Sequence, residues 1–194
     1  AGGGAGGGLG GGGAAGRLGE AVRNIDGERQ HIVHAVGDYA EGSLAETESD
    51  TFRALFESNL FSARDLAEAA RAPLRRAAES GADASMLFFG TAGLAGLGAR
   101  AKTAAYGAAK SALLVLVRSL AKEEAPHGVR VNMISPGIVP HDGAHASTLD
   151  EDLQARIPLG RAGTPEEIAE GVHFLTTARQ VTGQDLGIDG GWLL

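Results

Sequence analysis

Apolar positions along the chain fall into two kinds of run: short continuous ones, and longer stretches in which they recur every three or four residues. After a helical stretch around 18–22, residues 32–36 form an apolar segment that reads as a buried strand, ended by Gly37. Thr47 with Asp50 three residues on makes a capping box, opening a helix whose apolar positions Phe52, Leu55 and Phe56 share one face. A helix follows through Leu60 to about Glu79, where Gly81 stops it. Met86-Leu87-Phe88-Phe89 is continuously apolar, as strands buried on both faces of a parallel sheet are. A Gly/Ala-rich loop over 90–105 leads into a long helix from about Ala104 to Glu124, ended by Pro126 and Gly128. Branched residues over 129–134 then predict a strand, closed by Pro136-Gly137. Thr164-Pro165-Glu166-Glu167 is a second capping box, with proline at the first helical position, and its helix runs on through Ile168, Val172 and Leu175. A last strand is expected over 185–188. This alternation of strand and helix predicts an α/β fold: a doubly wound parallel sheet with helices on both faces and ligand sites at the C-terminal strand ends.

Composition refines this picture. A length of 194 residues with 43% apolar content suits a single domain. Residues 1–16 contain only Gly, Ala and Leu9, which leaves little to bury; they read as a linker or a degraded phosphate loop, and 17–194 as the folded domain. A formal net charge of -7 and a pI near 5.3 argue against nucleic-acid and anionic-membrane partners. Without cysteine there is neither a disulfide framework nor a thiolate zinc site, and the cytoplasm is the expected compartment. The longest purely apolar run, 112–117, is far too short to span a bilayer, and no export signal is recognisable.

The sharpest chemical signal is Tyr106-Gly-Ala-Ala-Lys110, whose helical spacing sets a phenol and an ammonium on one face, one turn apart. A phenol with a pKa near 10 is a poor acid or base at neutral pH, and a fixed positive charge would bring it toward the working range. His141, Asp142 and His145 could approximate metal ligands, but imidazoles on a Gly/Ala loop without an independent ligand set read better as a substrate-facing or exposed loop. No catalytic metal is expected. His34 ends its strand either in contact with a ligand or as a hydrogen-bonded core histidine.

These residues do not stand alone. Tyr106-Gly-Ala-Ala-Lys110-Ser-Ala-Leu, then Leu120-Ala-Lys-Glu-Glu-Ala-Pro-His-Gly-Val-Arg-Val-Asn132 and Ser135-Pro-Gly137, resemble the central stretch of short-chain dehydrogenases/reductases, especially the 3-oxoacyl-carrier-protein reductase branch. Asn59 in Phe56-Glu-Ser-Asn-Leu60 matches the active-site asparagine of that family. The stretch from Pro158 to Ile168, and Val181-Thr-Gly-Gln184 with Ile188-Asp-Gly-Gly-Trp192, match its C-terminal signatures. The resemblance implies a Rossmann-like single domain that interconverts a carbonyl and a secondary alcohol, with hydride from NADP or NAD and a mild preference for NADPH. Tyr106 would donate or accept the proton, Lys110 would hold the cofactor ribose and lower the Tyr106 pKa, and Asn59 would position a relaying water. Pro136, Gly137 and Ile138 would pass beside the nicotinamide, and His34-Ala-Val-Gly37, standing where the family has Asn-Asn-Ala-Gly, would bring Gly37 to the cofactor. Gly2, Gly6 and Gly8 fit the spacing of the phosphate loop, although a segment this rich in glycine fits many patterns.

The chain departs from the family at its start, where about thirty residues stand in place of a strand, a phosphate loop, a helix and two more strands. Missing or truncated segments are expected there, and with them the residue that separates NAD from NADP. The usual serine is also absent: thirteen positions before Tyr106 stands Gly93, whereas counting forward from strand 86–89 puts Gly90-Thr91 at the Ser-Ser position. Sheet registry fixes where a side chain emerges while loops absorb insertions, so Thr91 is the expected carbonyl-polarising donor; the other reading is a hydroxyl that only caps the loop. The resemblance also implies a homo-oligomer, a tetramer, built on helix 104–124 and the strand near Trp192. An alternative to an active enzyme is a non-catalytic partner subunit of a heteromeric dehydrogenase that keeps the fold.

Overall fold

The structure is a computed structural model that describes residues 29–94, 96, 98–140 and 154–192. Gly2, Gly6, Gly8, the stretch around 18–22, and the trio His141, Asp142 and His145 therefore lie outside the described residues. Four strands, β1 (Arg29–His34), β2 (Asp83–Phe89), β3 (Val129–Pro136) and β4 (Asp185–Ile188), form one parallel sheet in the order β1-β2-β3-β4. Between them run α1 (Ser49–Phe56), a π-helical turn (Glu57–Phe61), α2 (Ser62–Glu79), α3 (Ala104–Glu124) with a 3₁₀ turn (Ala125–His127), and α4 (Pro165–Thr177). The described strands follow chain order across the sheet.

Burial explains which strands are central. Ala84 through Phe88 of β2 are all buried, and so are Val129 through Ser135 of β3. One face, carrying Met86, Phe88, Val131 and Met133, packs on α2 and α3 through Leu66, Leu74, Leu113 and Val117. The other, carrying Leu87 and Ile134, packs on α4 through Ile168 and Leu175. Helices thus cover both faces. In β1, by contrast, Gln30, Ile32 and His34 are buried while Val33 is exposed, the alternation of a strand covered on one face. The strand also stops at His34, two residues before the expected end.

Helix α3 with its 3₁₀ extension is long and apolar enough to cross a bilayer by length and composition, but 50% of that window is buried, so its apolarity serves the core. Leu113, Leu114, Val117 and Leu120 are buried in the core, whereas Val115 is exposed and Leu116 half-buried. The two expected capping boxes part company. Thr164 accepts from the Glu167 amide, and the Glu167 carboxylate accepts from the Thr164 amide, so α4 is closed as expected. The Thr47 hydroxyl instead donates to the Ser43 carbonyl at 2.8 Å, and α1 starts after Glu48 without a side-chain cap. A local turn over 43–47 has taken the hydroxyl that the capping box needed.

Buried polar groups of β3 hold the C-terminal part in place. Arg130 donates to the last-turn carbonyls of α4, Leu175 at 2.6 Å and Thr176 at 2.8 Å, where a helix favours a cation. Asn132 accepts from the Gln184 amide and donates to the Val181 carbonyl, setting the register in which β4 joins. At the far end, Gly137 donates to the Ile188 carbonyl at 2.9 Å and lies so close to Asp189 that a Cβ would stand 2.6 Å from its Cα.

Candidate active site

The C-terminal ends of β1, β2 and β3 gather the predicted residues. Lys110 is 4% exposed and reaches from α3 to the end of β2, where its ammonium donates to the Phe89 carbonyl at 2.7 Å. Burial pushes its pKa down to about 8. One turn earlier on α3, the Tyr106 ring lies with its centroid 5.7 Å from the Lys110 Nζ, as the five-residue spacing requires. Thr91 emerges two residues past β2, close enough for its side chain to act on the Tyr106 phenol. Counting from the strand therefore finds the hydroxyl beside the phenol, while Gly93 sits in an exposed turn at φ 76°.

The charge balance at Tyr106 differs from the expected one. Burial raises the phenol above its ordinary value, and the influences that oppose burial are the Thr91 side chain and the charge of Arg100. With desolvation the larger effect, the lowering expected from Lys110 is not the net outcome.

Asn59 stands in the π-helical turn between α1 and α2, fully buried. Such a turn inserts one extra residue into a helix, a deformation frequent at functional sites. The Asn59 amide donates to the carbonyls of Asp38 and Leu55, both at 2.9 Å, while its Oδ1 is buried without a partner. Gly37 follows β1 with φ 150°, and any Cβ there would collide with that Oδ1. Glycine is thus required at 37 both by its backbone and by the approach of Asn59.

His34 resolves to the hydrogen-bonded core alternative. The Ser62 hydroxyl donates to the Ser58 carbonyl at 2.5 Å, so at 3.0 Å it accepts from the His34 Nε2–H. That leaves Nδ1 unprotonated, buried and without a partner. Burial, and secondarily the charge of Lys110, lowers the pKa to about 4, so the ring is neutral at working pH.

Pro136, Gly137 and Ile138 leave β3 alongside these residues. The Pro136 carbonyl accepts from the Ala92 amide at 3.0 Å and the Ile138 carbonyl from the Gly163 amide at 3.0 Å. Two contributors were missed by sequence reasoning because they sit on loops without periodicity. Tyr39 meets Tyr106 edge-on, centroids 5.0 Å apart at 82°, with its hydroxyl donating to Glu41 at 2.7 Å. Arg100 crosses the start of α3 and donates to the Ala92 carbonyl. Among the described residues, no three His, Asp or Glu side chains come together to hold a metal.

A phenol with a hydroxyl and an ammonium nearby, at the C-terminal ends of a parallel sheet, suits proton transfer at an oxygen. The family model described as enoyl-(acyl carrier protein) reductase matches residues 14–193. The chain belongs to the short-chain dehydrogenase/reductase family. It is one of the family's NAD(P)-dependent oxidoreductases, of the 3-oxoacyl-acyl-carrier-protein reductase-like kind. Carbonyl reductase family member 4 of Xenopus tropicalis is 31% identical over 170 residues, 88% of this chain and 69% of that protein. The 3-oxoacyl-[acyl-carrier-protein] reductase FabG of Salmonella typhimurium is 31% identical over 176 residues, 89% of this chain and 70% of that protein. Among solved structures, one described as an NAD(P) dependent gluconate 5-dehydrogenase of Beutenbergia cavernae, with NADP bound at low occupancy, superposes with a TM-score of 0.80. It is 32% identical, and the match covers 93% of this short-chain dehydrogenase/reductase and 72% of that chain.

Proposed function

We propose that this short-chain dehydrogenase/reductase interconverts a carbonyl and a secondary alcohol, with Tyr106 as proton donor in reduction and proton acceptor in oxidation. The carrying observation is the approach of the Thr91 side chain to the Tyr106 phenol, one turn from the Lys110 ammonium. Thr91 would present its hydroxyl to the carbonyl oxygen as charge develops there, a donor already in place before reaction.

The residues fit a nicotinamide cofactor. The Lys110 ammonium has three hydrogens and gives one to Phe89, leaving donors for the hydroxyls of a ribose. Pro136, Gly137 and Ile138 would line the nicotinamide with backbone, since the side-chain space at Gly137 is taken by Asp189. Gly37 would contribute backbone only, because Asn59 fills the space beside it. When bound, the cofactor supplies or accepts the hydride. NADP is the preferred form, on the likeness to the gluconate dehydrogenase structure that carries it. Asn59, tied to the Asp38 carbonyl, would hold the loop after β1 against the site and position a water toward Lys110.

The substrate would be a small carbonyl or alcohol, and the working form a homo-oligomer, a tetramer in this reading. Exposed Val115 on α3, and Phe174 on α4 beside edge strand β4, offer apolar surface for that assembly. Titrating the protein with NADH and NADPH, followed by the fluorescence of the reduced nicotinamide, tests the reading. Saturable binding with NADPH the tighter is expected, and no binding of either would overturn it. Sedimentation showing only monomer at micromolar concentration would refute the tetramer.

A further inference from the structure

Tyr106 is the third residue of α3, in a turn whose first amides have no partner inside the helix, and α3 starts after Thr103 without a side-chain cap. Helix ends of this kind fray, yet a phenol that transfers a proton needs a fixed position. Lys110 approaches the ring from within the same helix, and Arg100 packs on the turn at Gly107, where a Cβ would stand 2.5 Å from its Cδ. The loop after β1 comes to this turn from elsewhere in the sheet, and it is fastened twice. The Asp38 amide donates to the Ser58 Oγ at 3.1 Å, and the Asp38 carbonyl accepts from Asn59 at 2.9 Å. Four residues on, the Gly42 amide donates to the Lys102 carbonyl at 2.7 Å, and Gly42 pairs with Thr103 in an isolated parallel bridge. Tyr39 stands between the two fastenings. Its ring meets Tyr106 edge-on, centroids 5.0 Å apart at 82°. The residue is 59% exposed, so core packing does not account for it.

We propose that Tyr39 is a positioning residue for Tyr106: residues 38–42 form a strap across the uncapped end of α3, and the Tyr39 ring held in that strap fixes the phenol ring for proton transfer. The proposal deepens the function above and rests on its reading of Tyr106. Perpendicular rings attract through the positive edge of one and the negative face of the other, beyond what area burial contributes. Phenylalanine can make that contact; leucine, of comparable bulk, cannot. With its backbone tied on both sides, Tyr39 loses little freedom in meeting Tyr106, so the contact is preset. Its hydroxyl donates to Glu41 of the same loop, so the ring carries the role and the hydroxyl serves the strap. The Asp38 end is held by Asn59, whose side chain fills the space beside Gly37. The strap therefore joins the π-helical turn to the helix that bears Tyr106 and Lys110.

The chain has only two tyrosines, so in any Tyr39 variant a protein made with ring-¹³C tyrosine carries its label on Tyr106 alone. Nuclear magnetic relaxation of those carbons reads how firmly the ring is held, without substrate or cofactor. Tyr39→Phe should keep the ring as ordered as in the parent, and Tyr39→Leu should lower its order parameter. Tyr39→Met, also without a ring, serves if the leucine variant does not fold. A Tyr106 ring equally ordered in a folded Tyr39→Leu or Tyr39→Met variant would overturn the proposal, as would a loss of order in Tyr39→Phe. In the reduction of ethyl acetoacetate by NADPH, Tyr39→Leu should lower kcat roughly tenfold with both KM values little changed, the upper end of what an aromatic pair contributes. Tyr39→Phe should restore it, and a parental kcat in Tyr39→Leu would count against the role. Tyr106→Phe turnover tests the underlying reading separately, because the order of the ring is measured in the cofactor-free protein whatever the phenol does in reaction.

Discussion

The first turn of α3 and the loop that leads into it put their residues beside the same phenol by opposite means. On the helix, Tyr106 and Lys110 are neighbours because four residues make just over one turn; wherever α3 goes, the pair goes with it. In the loop, Thr91 comes near Tyr106, and Arg100 near its helical turn, only because β2 ends where it does and because Gly107 leaves room for the arginine stem. The difference separates two kinds of evidence for a site. Helical spacing establishes that two groups are together but not which effect dominates, and here burial lowers the Lys110 pKa and raises that of Tyr106. Loop residues carry no spacing, yet Thr91 and Arg100 are what oppose the effect of burial on the phenol.

The largest effect should come from the helix. Tyr106→Phe removes the phenolic proton with little change in packing, and turnover should fall roughly a thousandfold while thermal stability stays near that of the parent. A steady-state assay beside a melting curve checks both, and retained turnover would dismantle the helix half of the comparison. Next is the loop. Thr91→Val keeps the shape and loses the hydroxyl, so kcat should fall about a hundredfold, the scale of losing one preorganised donor. If Thr91 only caps its loop, the rate will hold and stability will change instead.

The strand end offers a pH test of the buried network beneath both regions. His34 has its folded pKa lowered by burial to about 4 from an ordinary 6.5, so between those values the unfolded chain binds more protons than the folded one. Stability from this group is therefore complete above about 6.5 and is lost as pH falls toward 4, by at most about 3 kcal/mol. His34→Gln should flatten the melting temperature across that window. An equally steep acid loss in the variant would place the titrating group elsewhere.

The smallest effect contrasts two threonines with the same local pattern. Thr164→Ala should cost about 1 kcal/mol by denaturant melting, because it breaks a formed capping box. Thr47→Ala deletes no cap of α1, so its helix should not lose that increment. Equal losses at both positions would mean that the turn over 43–47 matters to α1 as much as a cap does.

Much of the molecule was legible before any tertiary contact. The bounds of α3 and β4, the continuous burial of β2 and the cap of α4 follow from apolar period, Pro and Gly punctuation and a Thr-x-x-Glu pattern, all of which act within a few residues. Asn59 was recognisable through its resemblance to a family motif, but not the π-helical turn that carries it. Where the expected pattern failed, a different partner had intervened. Thr47 went to Ser43, and β1 ended early where His34 turned in to Ser62.

The sequence by itself determined an alternating α/β chain, a parallel sheet with its strand ends at one edge, and a phenol one helical turn from an ammonium, because secondary structure repeats with short periods that local composition encodes. Only the tertiary structure decided which hydroxyl approaches the phenol, that Asn59 closes on Gly37, that an edge-on Tyr39 walls one side, and that Arg100 reaches across α3. Those contacts join residues on separate loops, whose positions are set by the strands and helices they connect and by how deeply each group is buried, and no local pattern records either.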